Sequence, residues 1–411
     1  MHPYATFFRI RQWIFSRILR LFEQKEPQLQ SGCGALACLP KLLQKEKVTH
    51  VLLVTTQGFV QRGTAGALCE RIQNTGISVT LFAKVLPDPD IACVEAGVRS
   101  CLAGNCDAIV ALGGGSAIDC AKLIGARVAR PGKSIRQMRG YLHIRRHLPP
   151  LYAIPTTAGT GSEATSAAVV TDTINEKHEK YAVADLCLTP HSAILDPELT
   201  VGLSPEMTAA TGMDALTHAI EAYTNRFASR RVKKNATEAV RLIFENLPLA
   251  YQNGKDLTAR TNLLRASYLA GLAFNSNFVG YVHALAHAIG AVYQIPHGTA
   301  NAILLPAVLR EYGKSIEKPL SGLADAVGIK GSTPAEKAEA MRSAVTALRD
   351  RLQLHAYVRE LKENDLDLLA RRALHEANPA YPVPQIFGKE QLLHILNTVL
   401  PPEKGANECN T

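Results

Sequence analysis

The sequence predicts a two-part fold, an α/β half with a mostly parallel sheet followed by an all-helical half. Three observations predict it. Short apolar runs alternate with helix-period segments up to about residue 200. Strand patterns then stop, and helical periodicity carries nearly all of the remainder. The chain has 411 residues, 47% of them hydrophobic, which is enough for two cores without a disulfide scaffold.

The apolar runs 48–56, 77–84, 107–112 and 151–155 read as buried strands. Between them, 64–74 and 91–102 read as helices, so the pattern is one of βαβ units. Ser204-Pro205-Glu206 opens the first helix of the second half, with proline at the first helical position and an acid in the first turn. Further helices are expected over 335–354 and 363–376. The boundaries drawn are 1–27 for an N-terminal extension, 28–200 for the α/β half and 201–411 for the helical half.

The net charge of +9 has two visible sources. The first 27 residues carry Arg9, Arg11, Arg17 and Arg20 among apolar residues, which excludes a membrane span. Read as a helix, Phe7, Ile10, Ile14, Ile18, Leu21 and Phe22 share one face. Such a helix docks on its own protein or a partner subunit, or lies on an anionic membrane. The second source is residues 127–147, which hold Arg127, Arg130, Lys133, Arg136, Arg139, Arg145 and Arg146 and no acid. No aromatic platform accompanies them, so they read as a solvated surface loop, and no nucleic-acid partner is expected. Nine scattered cysteines without a C-x-x-C pair point to a reducing, cytoplasmic setting and away from a cysteine-ligated zinc.

Two glycine-rich turns follow predicted strands. In DAIVALGGGSAIDCAK (107–122) a strand runs into Gly113, Gly114 and Gly115 and then a helix. Ser116 is expected to cap that helix, with Asp119 completing a capping box. A helix start with bare N–H groups binds a phosphate or pyrophosphate. The pattern is not G-x-G-x-x-G, which argues against an ordinary Rossmann dehydrogenase. The second turn, AIPTTAGTGSEAT (153–165), offers the hydroxyls of Thr156, Thr157 and Thr160. Together the two turns suggest one nucleotide held by both.

Asp214 and His218 stand four apart in a helical segment, as do His283 and His287, and His297 follows ten residues later. One carboxylate and several imidazoles suit a divalent transition metal. HALAH lacks the glutamate of H-E-x-x-H, so the metalloprotease base is missing. Spacing leaves open which of His283 and His287 is a ligand.

GGGSAIDCAK, PTTAGTGSEAT, ATGMDALTHAIEAY and HALAHAIGAVYQIPHGTANAILLP occur in this order. With them the chain resembles the iron-containing, group III alcohol dehydrogenases from about Gln28 to the C-terminal region. The resemblance implies a dinucleotide-binding domain and a helical metal-binding domain of dehydroquinate synthase-like architecture, with the metal in the cleft between them. It implies Asp214, His218, His283 and His297 as ligands of Fe2+, with Zn2+ as the alternative. His287 is then outside the ligand set, as a proton-handling catalytic residue. Cofactor contacts to NAD, or NADP, are expected at Thr56, Asp88, Gly114, Gly115, Ser116, Asp119, Thr156, Thr157, Thr160, Lys180 and Leu195.

The expected reaction is reversible hydride transfer between a small alcohol and NAD(P), in a homodimer. A dehydroquinate synthase-like lyase and a non-catalytic binding protein are the alternatives. Three departures bear on detail. Thr55-Thr56 replaces the family's T-D after the first strand, Asp88 replaces an asparagine between two prolines, and Asn378-Pro379-Ala380 stands for N-P-R. Phe278 and Tyr281, where smaller residues are common, would narrow the substrate pocket.

Overall fold

The computed structural model describes residues 4–21, 25–174 and 177–402. Nine strands are β1 (Gln28–Ser31), β2 (His50–Val54), β3 (Ser78–Phe82), β4 (Ala108–Gly113), β5 (Gly140–Tyr141), β6 (Leu151–Pro155), β7 (Ala167–Ile174), β8 (Lys177–Ala184) and β9 (Ser192–Leu195). The helices that matter here are α1 (Ala5–Leu21), α2 (Thr64–Gln73), α3 (Ile91–Ala103), α4 (Gly115–Ala129), α5 (Pro205–Thr224), α6 (Leu257–Asn277), α7 (Tyr281–Tyr293), α8 (His297–Tyr312) and α9 (Leu366–Ala380).

Six strands form a parallel sheet in the order β1-β9-β6-β4-β2-β3. Its central strands β2, β4 and β6 read as near-continuous apolar runs because both their faces are buried. Side chains alternate between two cores. Leu52, Val54, Ile109, Ala111 and Ala153 enter one, with Phe82, Ile118 and Ile124. Val51, Leu53, Val110, Leu112, Tyr152 and Ile154 enter the other, with Leu68 and Ile72. The four strands expected from sequence are β2, β3, β4 and β6. The short edge strand β1, the four-residue β9 and the antiparallel pair β7–β8 were not anticipated. Among the described residues the last strand ends at Leu195, and the helix expected at Pro205 starts there.

The domain boundaries need correcting. One compact unit comprises the described residues of Glu23–Ser204 and Gln252–Asn275, the other those of Met1–Phe22, Pro205–Tyr251 and Ser276–Thr411. Most of α6 therefore belongs with the α/β unit, although its sequence is as helical as its neighbours. The reason is tertiary. Gly161 of the second turn lies against the backbone of Gly271, and Ser166 donates to Asn275 through both its backbone N–H and its hydroxyl. The N-terminal helix α1 belongs with the helical unit, where Gln12 donates to the carbonyl of Asn378 at 2.9 Å.

The basic run 127–147 is no loose solvated loop. Arg127 pairs with Glu95, Arg136 with Asp172 and Arg139 with Glu179. Arg130 and Lys133 donate to the carbonyls of Ile144 and His143. The acids absent from the run are supplied by other elements.

A buried polar network underlies the second turn. Lys122 on α4 is fully buried and donates to the carbonyls of Thr165 and Ala167 and to the Thr165 hydroxyl. Burial lowers its pKa to about 8, against the opposing charges of Asp119 and Glu163. Burial likewise raises the Glu163 carboxyl to about 7, and its Oε1 has no hydrogen-bond partner. A carboxyl raised above its unfolded value contributes stability that is complete below about pH 4.5 and lost as pH rises through 7. Glu163→Gln is therefore expected to match the parent near pH 4.5 and to exceed it by about 3 kcal/mol near pH 8. Denaturant unfolding at the two pH values measures this, and a pH-independent difference between the two proteins would refute it.

Candidate metal centre and nucleotide turns

The two glycine-rich turns leave the carboxyl ends of adjacent strands. Gly113 of β4 and Pro155 of β6 are in register, and Thr156 N–H donates to the Gly113 carbonyl at 3.0 Å. Carboxyl ends of parallel strands are where such sheets bind ligands. The turns touch. A Cβ on Gly115 would lie 2.7 Å from Thr160 Cγ2, so only glycine fits there. A Cβ on Gly114 would meet Thr157 less closely, at 3.2 Å from its Oγ1. Thr55, at the end of β2, donates its hydroxyl to the Leu112 carbonyl and sets Thr56 as the residue that opens the next helical turn.

The expected capping box is not present. Gly114 is the N-cap of α4, without a side-chain cap, and Ser116 is already its second residue. The third glycine lets the helix start earlier than the serine suggests, and the first N–H groups stay free of side chains. Ser116 instead accepts from the backbone N–H of Asp88 at 3.3 Å. Asp88, at φ 53°, pairs with Lys180 at 2.5 Å. A carboxylate thus stands beside the helix start, and a lysine offsets it. Asp119 is engaged internally, accepting from Ser162 Oγ at 2.5 Å and from Val169 N–H at 3.0 Å. Burial raises its pKa, against Lys122. Leu195 is buried, and its carbonyl accepts from Gly32 N–H.

In the helical unit, α5 carries Asp214 and His218, and α7 carries His283 and His287. Gln294 ends α7 in the left-handed conformation, and His297 is the first residue of α8, after Pro296. A Cβ on the next residue, Gly298, would lie 2.3 Å from the Ala210 carbonyl oxygen. Glycine lets α8 start against the backbone of α5, which carries His297 to Asp214.

Donor atoms of Asp214, His283 and His297 lie within 4.8 Å of one another. Asp214 Oδ1 is 3.7 Å from His283 Nε2 and 3.5 Å from His297 Nε2. His218 stands beside this group. Its Nδ1 is 3.9 Å from Asp214 Oδ1, and its ring stacks on that of His283 at 4.3 Å. His287 stacks on His297 at 5.1 Å.

Three residues missed in the sequence complete the centre. Glu221 accepts from His283 Nδ1 at 2.6 Å and from the backbone N–H groups of Gly280 and Val282 at 2.7 and 2.8 Å. With Nδ1 so engaged, the Nε2 lone pair of His283 faces Asp214. Spacing could have found it, since Glu221 is seven residues after Asp214 and three after His218, on the same helix face. Asn301, four after His297, donates to Asp214 Oδ1 at 2.7 Å, and its Nδ2 lies 3.2 and 3.1 Å from His283 and His297 Nε2. Glu376 on α9 accepts from His287 Nδ1 at 2.8 Å and from the Tyr381 hydroxyl at 2.7 Å. Nothing in the local spacing marks Glu376.

The charges are mutually adjusted. Burial opposes ionisation of Asp214, but His218, His297 and His283 outweigh it and hold the carboxyl well below the usual range. Burial would lower His283, but Asp214 and Glu221 raise it to about 9. Burial and the neighbouring imidazoles keep His297 well below its ordinary value, against Asp214.

The expected aromatic pocket changes too. Tyr281 is fully buried, stacked on Phe387 at 4.7 Å, and its hydroxyl donates to Asn378. It belongs to the core and narrows no pocket. Asn378, Pro379 and Ala380 form the last turn of α9, with Asn378 buried. Phe278 lies 6.2 Å from the Tyr381 ring.

Residues 27–197 match the model of the iron-containing alcohol dehydrogenases, and residues 208–400 that of the C-terminal part of the Fe-containing alcohol dehydrogenase family. Alcohol dehydrogenase 4 of Saccharomyces cerevisiae is 38% identical over 371 residues, 89% of this chain and 94% of its own. The chain belongs to the iron-containing alcohol dehydrogenase family. The NAD-dependent methanol dehydrogenase of Bacillus methanolicus is 37% identical, covering 84% and 91% of the two chains. The crystal structure of a 1,3-propanediol oxidoreductase superposes with a TM-score of 0.88 at 34% identity, over 92% of this chain and 100% of that one.

The donors fit the metal this family is named for. A carboxylate and imidazoles converge, and among the described residues Glu221, a second buried carboxylate in contact with them, engages the Nδ1 of His283 instead of competing at its Nε2. Glu221→Gln is expected to lower metal affinity by about 10- to 100-fold. Metal analysis after dialysis against graded chelator measures it, with circular dichroism as the check on folding. Parent-like retention by a folded variant would show that Glu221 does not orient His283.

Proposed function

We propose that this chain is an alcohol dehydrogenase that oxidises small, weakly polar alcohols with NAD and reduces the corresponding aldehydes or ketones, using Fe2+. The convergence of Asp214, His283 and His297 in a chain of this family carries the reading. His218, one helical turn from Asp214, completes the proposed ligand set. A bound divalent metal supplies Lewis acidity, which eases deprotonation of an alcohol and polarises a carbonyl. NAD, held at the glycine turns, would supply the hydride acceptor.

The chain's own residues do the rest. Asp214 brings the negative charge that a dication requires, and its depressed pKa keeps it ionised. Glu221 and Asn301 hold the ligand atoms on their partners. His287 is the proposed proton carrier. Glu376 accepts from its Nδ1, which leaves Nε2 as the atom able to take and return a proton. The Tyr381 hydroxyl keeps Glu376 in place. In the α/β unit, the N–H groups at the start of α4 are proposed to hold the cofactor pyrophosphate, with Gly114, Gly115 and Ser116. Thr156, Thr157 and Thr160 border the same turn. Asp88 and Lys180 form an ion pair beside it, with Lys180 toward the ribose. Asp119 acts from behind as a clamp on Ser162, and Leu195, buried at the end of β9, is proposed to border the nucleotide. Thr56 stands where an acid would select against a 2′-phosphate, so NADP is a second cofactor to test. Ala215, Leu216, Ala219, Ile220, Leu285 and Ala288 are buried in the helical unit, and the small alcohol is supported instead by relatives that are a methanol dehydrogenase and a 1,3-propanediol oxidoreductase. Free thiols suit a reducing cytoplasmic compartment, and a homodimer is the proposed assembly.

The test is an anaerobic assay of primary, secondary and diol alcohols with NAD and NADP, after loading with Fe2+ or Zn2+. Net NADH formation from simple alcohols is the expected result, and its absence across the panel would refute the reading. Asp214→Ala is expected to lose both metal and activity. His287→Ala is expected to keep its metal and lose about a hundredfold or more in kcat. Full metal content and activity in Asp214→Ala would overturn the ligand assignment.

A further inference from the structure

The N-terminal helix α1 is mounted with its polar side inward. Gln12 is 1% exposed and donates to the Asn378 carbonyl, and Arg9 donates to the carbonyls of Val383 and Pro384. Burial and the neighbouring Arg226 lower the Arg9 pKa to about 10. The apolar side faces outward. Phe7, Ile10, Trp13 and Ile14 are 61, 55, 47 and 46% exposed. Phe7, Ile10 and Ile14 follow the i, i+3, i+7 spacing of one helix face, and Trp13 flanks it. Side chains beyond Ser16 and Arg17 in this helix, and all of Phe22, lie outside the described residues.

An amphipathic helix ordinarily gains stability by burying its apolar face against its own core. Here that face is left for something else. The surrounding charge says what. Arg11 and Arg17 are exposed beside the stripe, with the Arg17 guanidinium 5.5 Å from the centroid of the Trp13 ring. No residue from 5 to 21 is acidic. A second copy seated on this face would bring arginine against arginine with no acid in either helix to offset them. A bilayer with anionic headgroups takes the aromatic and aliphatic side chains at its acyl boundary and the guanidinium groups at its phosphates. The helix also precedes the matched family region, which begins at residue 27.

We propose that α1 is an in-plane anchor that docks the protein on an anionic lipid surface. Phe7, Ile10, Trp13 and Ile14 enter the headgroup boundary, and Arg11 and Arg17 lie at the phosphates. Arg9 and Gln12 fasten the anchor to the helical unit.

Trp13 is the single tryptophan of the chain, so its fluorescence reports the anchor alone. The full-length protein is mixed with phosphatidylglycerol–phosphatidylcholine vesicles and with phosphatidylcholine vesicles. The anionic vesicles are expected to shift Trp13 emission to the blue and to pellet the protein. Binding to neutral vesicles is expected to be weaker by about 25-fold, since each of the two arginines near the surface contributes a factor of about five. Added salt should weaken the anionic binding toward the same level. Ile10→Glu with Ile14→Glu, both on the exposed face, should abolish the shift and leave alcohol oxidation at the parent level. Arg11→Gln with Arg17→Gln should bind anionic vesicles only as well as neutral ones. No shift and no pelleting would overturn the proposal, as would equal binding to both vesicle types. Doubling of the mass in lipid-free light scattering, lost in the Ile10/Ile14 variant, would instead assign the face to a second copy and overturn it too.

Discussion

The candidate metal centre depends on one buried carboxylate. Glu221 accepts three N–H groups, one from the His283 ring, one from Gly280, which caps α7, and one from Val282 in its first turn. The two backbone groups are among those a helix start leaves without an internal partner. The same side chain therefore starts α7, joins it to α5 and turns the His283 lone pair toward Asp214. Three roles meet in one group because a buried carboxylate must have its lone pairs satisfied. His283 supplies the third bond, and the ligand is oriented as a consequence of that requirement.

The α/β unit solves a comparable problem with backbone. Register places Gly113 opposite Pro155, so two turns emerge side by side from adjacent strands. Their contact at Gly115 and Thr160 leaves no room for a Cβ. Beneath them, Lys122 and Asp119 hold the second turn from α4, Lys122 through the carbonyls of Thr165 and Ala167, Asp119 through Ser162 and Val169. Both groups are taken out of water, and Glu163 beside them carries a burial cost that nothing hydrogen-bonded offsets at its Oε1. Stability is given up at this point to hold the two turns in one arrangement.

The termini of the helical unit show that amphipathicity predicts a face without predicting its direction. The apolar residues of α1 do form a stripe. The intuitive placement of that stripe is inward, yet Arg9 and Gln12 find carbonyl acceptors at the end of α9 and just beyond it, and take the inward position. The segment from Pro382 to Pro384 is rich in proline, which leaves carbonyl groups without regular ladder partners, and Arg9 and Arg226 both use them.

By itself the sequence determined the two-part fold, four of the six parallel strands and the set Asp214, His218, His283, His287 and His297. Each rests on a local signal: apolar runs of strand length, helical spacing, or glycine after a strand. The division between His283 and His287 came from resemblance, because both repeat the same spacing on one helix. Only the tertiary structure decided which unit α6 joins, since a helix does not encode its neighbour. It moved the start of α4 from Ser116 to Gly114, because a run of glycine obscures where helical geometry begins. It buried Tyr281, which sequence had offered to a pocket, and it turned the 127–147 arginines onto carbonyls and distant acids. It also supplied Glu376, eighty-nine residues from His287. Contacts at that separation are set by packing of helices, and no periodicity within either segment records them.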